Sequence, residues 1–208
     1  MTYGIILADP PWRYANRGVN GAAENAFATL STTMTPGQIK GLQVKALAAR
    51  DAVLVLWVTW PMLDVALRVS PAWGFRYKTG CPWIKLVGDA EEVRPSWGPG
   101  WWARGCSETV LIGVRGRARP PEHDWLGLLS KRLKHSKKPE DVYEYCESFP
   151  GPYLELFARE ERLGWDVWGN EVEGIKLEEA ANEAELRSEE EKERFGEWVH
   201  PSTGRDLV

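Results

Sequence analysis

The stretch YGIILADPPW, at residues 3–12, joins an apolar run to a charged and proline-rich end. Tyr3–Ala8 is a short, mostly apolar run that proline stops, which predicts a buried strand. The DPPW that follows sets a carboxylate, two residues without a backbone N–H and a large aromatic side by side. A local proline turn capped by its aspartate would also give this pattern. Its position directly after a buried strand favours a chemical role.

Other segments of the chain have the patterns of strands. A continuous apolar run at 52–58 predicts a buried strand, and the mostly apolar segments at 108–114 and 152–158 predict two more. Residues 75–85 alternate enough to predict a further strand, with a break at Gly80–Pro82. We expect these strands to form the centre of the fold.

Helical segments separate the strands. In residues 35–49, Thr35 and Gln38 can form a capping box around a proline at the first helical position. Gly41 weakens this helix or splits it. Residues 61–70 predict a second helix, and Pro139 begins a third. The residues of the second helix that share one face are Leu63, Ala66, Leu67 and Ser70.

Strands that alternate with helices predict an α/β sandwich with a mostly parallel sheet. In such sheets, ligands bind beyond the carboxyl ends of the strands. DPPW follows one such end, and ARE at residues 158–160 follows another. We therefore expect the functional site at this edge of the sheet.

The composition fits one globular domain. The chain has 208 residues, 43% of them hydrophobic and 12 of them Trp, which excludes a disordered or fibrous protein. No apolar run is long enough to cross a membrane, and a strand begins within a few residues of Met1. We therefore expect no signal peptide, no membrane and a cytoplasmic protein. Cys81, Cys106 and Cys146 form no Cys-x-x-Cys pair, which indicates reduced thiols and no metal site.

Charge is unevenly distributed along the chain. Residues 1–170 hold 21 basic and 18 acidic residues, about +3, whereas the rest hold five and twelve, about −7. Eight basic residues lie between Arg115 and Lys138, which suits a polyanion such as nucleic acid, although single surface lysines are most often only solvated. We divide the chain into a domain at 1–172 and an acidic, helical tail at 173–208. The tail is interpreted first as solvated or loosely docked, and otherwise as a surface for a partner or a dimer.

DPPW supplies what the alkylation of a nucleobase amine requires. The lone pair of such an amine is delocalised into the ring, so a catalyst must accept hydrogen bonds from both N–H groups and favour a pyramidal nitrogen. The Asp9 carboxylate is one acceptor, and the Pro10 carbonyl, held by Pro11, is the other. Trp12 offers a face for stacking a base removed from its helix. Placement of acceptors then does the catalysis, without a metal or a covalent nucleophile.

The order of several motifs resembles that of the MT-A70 family of N6-adenine methyltransferases. The segments that carry the resemblance, within residues 3–172, are ILADPPWRY, TMTPGQIKGL, AVLVLWVTWPML, AWGFRY, WIK, ETVLIGVRG, HSKKPEDVYEYCE, GPYLELFARE and GWDVWGNEV. The resemblance implies a Rossmann-like methyltransferase fold that is circularly permuted, with the catalytic strand before the cofactor strand. It also implies S-adenosylmethionine as the cofactor, S-adenosylhomocysteine as the product, and no metal.

The resemblance also assigns cofactor-binding residues. Lys138 would meet the methionine carboxylate, and Asp9 would face both the methionine amino group and the target amine. The residues implied around the ribose are Glu155, Phe157, Arg159 and Asn170. Each also has a plain structural alternative: a solvated lysine, an ion pair or a turn. The glycine-rich G-x-G-x-x-G loop is absent, so the cofactor assignment rests on LELFAR at 154–159. Because the resemblance stops near residue 172, a chain truncated there is expected to bind the cofactor still.

Residues 86–107 form a segment rich in Gly, Pro and Trp that is too long to be a mere connection. Its tryptophans, Trp101 among them, could stack on bases or could pack the segment onto the core, and its arginine could contact a phosphate or a base edge. The candidate substrate-binding residues are Tyr14, Trp97, Trp102 and Arg104. We expect the substrate to be adenine in DNA rather than RNA, by analogy with small members of the family.

Other functions stay open. A non-catalytic subunit of a methyltransferase complex would bind nucleic acid, but its DPPW is expected to be degraded, and here it is intact. An RNA adenine-N6 methyltransferase would share all of these motifs. An enzyme for protein or small-molecule amines fits the basic stretch and the Trp-rich segment less well. We expect a monomer or a homodimer, with the acidic tail available to a partner.

Overall fold

A computed structural model of the chain describes residues 1–13, 33–88, 92–98, 102–121, 128–131 and 138–195. Within these ranges, eight strands form one sheet: β1 (Tyr3–Ala8), β2 (Ala48–Val58), β3 (Arg76–Gly88), β4 (Val93–Pro95), β5 (Ser107–Arg115), β6 (Leu128–Lys131), β7 (Tyr153–Leu156) and β8 (Trp165–Trp168). The helices there are α1 (Pro36–Gly41), α2 (Val44–Leu47), α3 (Leu63–Ala72), α4 (Asp141–Glu147) and α5 (Leu177–Phe195), with a 3₁₀ turn at Trp60–Met62. No helix of the described ranges is both long and apolar enough to span a bilayer.

The sheet is mixed but mostly parallel. Its order is β4-β3-β5-β2-β1-β7-β8, and β6 pairs with β3. The pairs β1–β2, β1–β7, β7–β8 and β3–β6 are parallel, whereas β5 runs antiparallel to β2 and β3, and β4 antiparallel to β3. The predicted α/β sandwich with a Rossmann-like sheet is confirmed. The strand before DPPW precedes β7 along the chain, but a circular permutation as such stays a prediction.

Strand directions bring several chain segments to one edge of the sheet. The carboxyl ends of β1, β2, β7 and β8 meet there because these strands are parallel. Since β5 is antiparallel, its first residues lie at the same edge, where Thr109 pairs with Val58 and Glu108 pairs with Trp83. The edge that carries DPPW therefore also carries the beginning of β5.

The strand β1 is buried on both faces of the sheet. Ile6 and Ala8 belong to the core on one face, and Ile5 and Leu7 belong to the core on the other. This burial explains the continuous apolar run before Asp9, because a strand covered on both sides has no position for an exposed polar residue.

The capped helix after residue 34 has the predicted form. The Thr35 hydroxyl accepts from the Gln38 backbone N–H at 3.3 Å, and the Gln38 side chain accepts from the Thr35 N–H at 2.9 Å. The helix α1 ends at Gly41 and α2 begins at Val44, so the expected split is confirmed. Both short helices anchor buried residues, Ile39 in α1 and Leu47 in α2.

The predicted break at Gly80–Pro82 is wrong, because β3 continues through it to Gly88. Pro82 has no N–H to donate, but the Thr109 hydroxyl donates to the Cys81 carbonyl at 3.2 Å. On the other edge, the described residues of β6 pair with β3 from Trp83 onward. A single proline is tolerated at a strand position whose backbone nitrogen does not have to donate a hydrogen bond to a neighbouring strand.

The buried face of α3 overlaps with the shared face named from the sequence but is not identical to it. Ala66, Val69 and Ser70 are buried, whereas Leu67 is 40% exposed. Val69, three positions after Ala66, lies on the buried face in place of Leu67. Residues three and four apart still define the buried face.

The helix α5 begins docked on the core, although most of its residues are charged. Leu177 is 6%, Ala181 0% and Ala184 4% exposed, whereas Leu186 is 61% exposed. The Ile175 N–H donates to the Val167 carbonyl at 2.8 Å just before the helix. The proposed division after Val172 therefore falls between segments that pack on each other.

Leu177→Ala is expected to lower the free energy of unfolding by about 2–3 kcal/mol, because it removes a buried side chain from the core. The matched change in the same helix, Leu186→Ala, is expected to change it by less than about 0.5 kcal/mol. Urea denaturation of both variants measures the difference. Equal effects would contradict the docking of α5 and would favour the loosely attached tail.

Candidate active site

Asp9 lies immediately after β1 and forms an ion pair with Lys138. Asp9 Oδ2 is 3.0 Å from Lys138 Nζ, and the two side chains are 29% and 14% exposed respectively. Lys138 precedes Pro139 and α4, so this element fixes its position beside the sheet edge. Two residues that are 129 positions apart in the sequence thus face each other.

Glu108, which the sequence analysis did not single out, extends this pair. Glu108 Oε2 is 3.4 Å from Lys138 Nζ, and Glu108 Oε1 is 2.5 Å from Lys85 Nζ. The Trp57 indole N–H donates to Glu108 Oε2 at 2.6 Å. Asp9, Lys138, Glu108 and Lys85 therefore form a row of alternating charges, here called the charge cluster.

Two buried tryptophans form a wall beside the charge cluster. The rings of Trp57 and Trp83 meet edge to face, with centroids 5.3 Å apart. Lys138 Nζ lies 4.8 Å from the Trp57 centroid and 5.8 Å from that of Trp83, which stabilises its positive charge. The Trp83 N–H donates to the Ser130 hydroxyl at 2.7 Å, so its ring is fixed.

The charge cluster sets the protonation of its members. Burial raises the pKa of Asp9 above its ordinary value, and Lys138 opposes this only in part. Burial acts against the charged forms of Lys138 and Glu108 too, but their opposite charges prevail, so the pKa of Lys138 is raised and the pKa of Glu108 is lowered. Of the two carboxylates in the charge cluster, Asp9 and Glu108, Asp9 is therefore the first to take up a proton as the pH falls.

The DPPW turn is braced by its own backbone. The Pro10 carbonyl accepts from the Trp12 N–H at 2.8 Å, and the Pro11 carbonyl accepts from the Met34 N–H at 3.0 Å. A carbonyl oxygen has two lone pairs, so Pro10 keeps one for a second donor.

Trp12 does not fit the stacking role expected from the sequence. It is only 6% exposed, its ring belongs to the core, and its indole N–H donates to the Trp57 carbonyl at 3.2 Å. A ring enclosed in this way offers no open face to a base. Trp12 instead ties the turn that carries Asp9 to the end of β2.

Glu155 lies in β7, directly across from Leu7 of β1. The Tyr143 hydroxyl, from α4, is 3.1 Å from each oxygen of this carboxylate. Burial raises the pKa of Glu155 to about 7, and the charge of Asp9 adds to this rise while the Tyr143 hydrogen bond opposes it. Glu155 and Asp9 thus face a common region at the sheet edge.

The other residues assigned to the cofactor lie at the ends of β7 and β8. Phe157 has a φ of 67°, in the left-handed region, and its ring meets Trp168 edge to face at 5.2 Å. Such a backbone conformation in a residue other than glycine is strained and is common at functional sites. Arg159 is 3.9 Å from Glu171, and Asn170 is exposed in the turn after β8.

The residues assigned to the substrate are exposed where they are described. Trp97 is 54% and Trp102 103% exposed, so neither packs its segment onto the core, and Arg104 is exposed too. The segment is joined to β3 by the bond from the Lys85 N–H to the Cys106 carbonyl, at 2.8 Å. Tyr14 and Trp101 lie outside the described residues.

The sequence analysis also missed Trp60. It follows β2, is 48% exposed, and donates its indole N–H to the Ser107 hydroxyl at 2.9 Å. Ser107 precedes Glu108, so an oriented and exposed aromatic ring lies beside the charge cluster. The signal for Glu108 was a carboxylate at the start of an apolar run, and only the direction of β5 decides that it meets Lys138.

Comparison with known proteins identifies relatives of this chain. The MT-A70 family model matches residues 3–171. The chain is 30% identical over 196 residues to the type II methyltransferase M.MunI of Mycoplasma sp, across 85% of this chain and 80% of that protein. It is 31% identical over 187 residues to the human N(6)-adenine-specific methyltransferase METTL4, across 82% and 38% of the two chains. It is 25% identical over 181 residues to the human N(6)-adenosine-methyltransferase catalytic subunit METTL3, across 84% and 29%. The chain thus spans less than half the length of the two human relatives.

Proposed function

The chain belongs to the MT-A70 family of S-adenosylmethionine-dependent methyltransferases, and we propose that it transfers a methyl group to the N6 amine of adenine in nucleic acid. The observation that carries the proposal is the partly buried pair of Asp9 and Lys138 at the carboxyl end of β1, with an acceptor carbonyl from Pro10 beside it. An acceptor-rich turn next to a fixed cation suits both an amine and a zwitterionic cofactor.

The charges at this edge fit the cofactor. S-adenosylmethionine ends in an ammonium and a carboxylate, for which Asp9 and Lys138 are the complementary partners. Glu155, whose carboxylate lies on the same edge, suits the hydroxyl groups of the ribose, and the residues at the ends of β7 and β8 complete the assignment: Phe157, Arg159 and Asn170. When bound, the cofactor supplies an electrophilic methyl group on a positively charged sulfur.

The side chains of this chain prepare the nucleophile. Asp9 accepts one N–H of the target amine, and the remaining lone pair of the Pro10 carbonyl accepts the other, so the nitrogen becomes more pyramidal. After transfer the nitrogen bears an additional proton, and Asp9 is suited to take it, since burial raises its pKa. Lys138 holds Asp9 in place, Glu108 in turn holds Lys138, and both retain their own charges.

Exposed aromatic and basic residues near the sheet edge suit nucleic acid. Trp60, Trp97 and Trp102 are each about half exposed or more, and Arg104 adds a positive charge. We favour DNA over RNA, because the type II methyltransferase M.MunI is matched at 30% identity across 80% of its length, whereas the adenosine methyltransferase METTL3 is matched at 25% identity across 29% of its length.

Transfer from radiolabelled S-adenosylmethionine to DNA and RNA oligonucleotides, single- and double-stranded, tests the substrate. Trp102→Ala is expected to raise the KM for the preferred polymer about tenfold with little change in kcat, since one stacked base is lost. The matched control is Leu163→Ala, another fully exposed apolar residue, for which no change is expected. Transfer to RNA alone would overturn the preference for DNA. Binding of nucleic acid without transfer to any polymer would favour the non-catalytic subunit.

A further inference from the structure

Tyr143 joins α4 to the carboxylate of Glu155 in β7. Its hydroxyl is equidistant from the two carboxylate oxygens, at 3.1 Å from each, so one donor spans both. The two residues are twelve positions apart in the chain, and their contact joins a helix to the sheet. A glutamate carboxylate held in this way cannot rotate freely about the Cγ–Cδ bond.

The ring of Tyr143 is itself held by neighbouring groups. The Arg162 guanidinium carbon lies 4.1 Å from the ring centroid, and the Trp165 ring meets it edge to face at 5.6 Å. Arg162 is in turn bonded to Glu140 and, through Nε at 3.1 Å, to Glu147. The glutamates at the two ends of α4 therefore hold Arg162, which lies between β7 and β8. Through its contact with the Tyr143 ring, Arg162 fixes the hydroxyl that donates to Glu155.

We propose that Tyr143 is a positioning residue that orients the Glu155 carboxylate toward the cofactor and ties cofactor affinity to the ionisation of that carboxylate. This proposal rests on the proposed function, in which Glu155 meets the ribose hydroxyls. An ionised carboxylate accepts from two hydroxyl groups at once, whereas a protonated one loses an acceptor and its charge. The Tyr143 hydroxyl favours the form that binds.

The groups that face Glu155 give the direction of the pH dependence. Burial raises its pKa to about 7, the negative charges of Asp9 and Glu160 add to this, and Arg162 and the Tyr143 hydroxyl act in the opposite direction. The buried thiol of Cys146 is a further neighbour, whose own pKa Glu155 raises. Since the Tyr143 bond lowers the pKa of Glu155, losing that bond must raise it, and ionisation then requires a higher pH.

Calorimetric binding of S-adenosylhomocysteine between pH 6 and 9 tests the proposal in the full-length protein. The native protein is expected to bind more weakly as the pH falls through about 7. In Tyr143→Phe the midpoint moves to higher pH, and the Kd at pH 7 rises about tenfold, as for one lost hydrogen bond to a charged group. At pH 9 the difference shrinks to the loss of orientation alone.

Two further variants separate positioning from general packing. In Glu155→Gln the part of the pH dependence that comes from residue 155 disappears, and adding Tyr143→Phe changes the Kd by less than about twofold, because the group on which Tyr143 acts is gone. The matched control is Tyr153→Phe, whose hydroxyl donates to the Phe149 carbonyl at 2.7 Å instead of to Glu155. It is expected to leave the profile unchanged. A Tyr143→Phe profile identical to that of Tyr153→Phe would overturn the proposal.

A titration of the unliganded protein distinguishes this proposal from the proposed function. The carboxyl ¹³C signal of Glu155 is expected to titrate at higher pH in Tyr143→Phe than in the native protein, whether or not a cofactor binds. An unchanged titration would overturn the positioning role of Tyr143. Absence of any S-adenosylhomocysteine binding by the native protein, with the titration shifted as expected, would overturn the proposed function alone.

Discussion

Asp9→Asn is expected to lower the rate of methyl transfer by about a hundred- to a thousandfold, because the amine loses a charged acceptor placed for the transition state. The amide keeps the size of the side chain and one acceptor oxygen, so the fold should persist. Asp9 also contacts Lys138 at 3.0 Å, and this ion pair is lost as well. Single-turnover rates with labelled S-adenosylmethionine measure the effect on transfer itself.

A remote carboxylate provides the control. Asp64→Asn removes an exposed carboxylate of α3 that pairs with Arg68 at 2.8 Å, and it is expected to leave the rate unchanged. Thermal unfolding of both variants shows whether the fold is retained. An Asp9→Asn protein that is folded and transfers methyl groups at the native rate would contradict the catalytic assignment.

Lys138→Met is expected to have the second largest effect. It leaves Asp9 and Glu108 near each other without the cation between them, and it removes the partner of the methionine carboxylate. The free energy of unfolding should fall by about 2–3 kcal/mol at pH 8, somewhat less than for a fully buried pair since Asp9 is 29% exposed. The Kd for S-adenosylhomocysteine should rise roughly thirtyfold, the effect of truncating one partner of a charge pair.

The pH dependence of this variant distinguishes electrostatics from packing. Burial already raises the pKa of Asp9, and without Lys138 it rises further, so Asp9 takes up a proton more readily as the pH falls. The loss of stability is therefore present above the pKa of Asp9 in the variant and shrinks below it. Lys176→Met, at an exposed lysine 2.9 Å from Glu179, should have almost no effect. A loss in Lys138→Met that is equal at pH 5 and pH 8 would contradict the charge cluster.

Local patterns predicted much of the fold. The strand before Asp9, the capping box of Thr35 and the split at Gly41 depend on residues close together in the sequence. For the same reason, the pattern correctly located Asp9 at the carboxyl end of a strand. These features depend on hydrogen bonds and burial within one helix or strand, so the sequence of that element alone is enough to predict them.

Contacts between residues that are far apart in the sequence were harder to predict. Glu108 meets Lys138 only because β5 runs antiparallel to β2, and nothing in ETVLIGV indicates that direction. Trp12 is enclosed because the core closes over the DPPW turn, whereas its neighbours in the sequence suggest an open ring. The docking of α5 rests on Leu177 and two small alanines, too few for a mostly charged segment to reveal.

The identity of the methylated atom tests the central claim most directly. The purified protein is incubated with S-adenosylmethionine bearing a deuterated methyl group and with adenine-containing DNA or RNA, which is then digested to nucleosides for mass spectrometry. We predict a deuterated methyl group on N6 of the adenine nucleoside, formed by the native protein and not by Asp9→Asn. A deuterated methyl group on any other atom, or no methylated nucleoside from either polymer, would contradict the account.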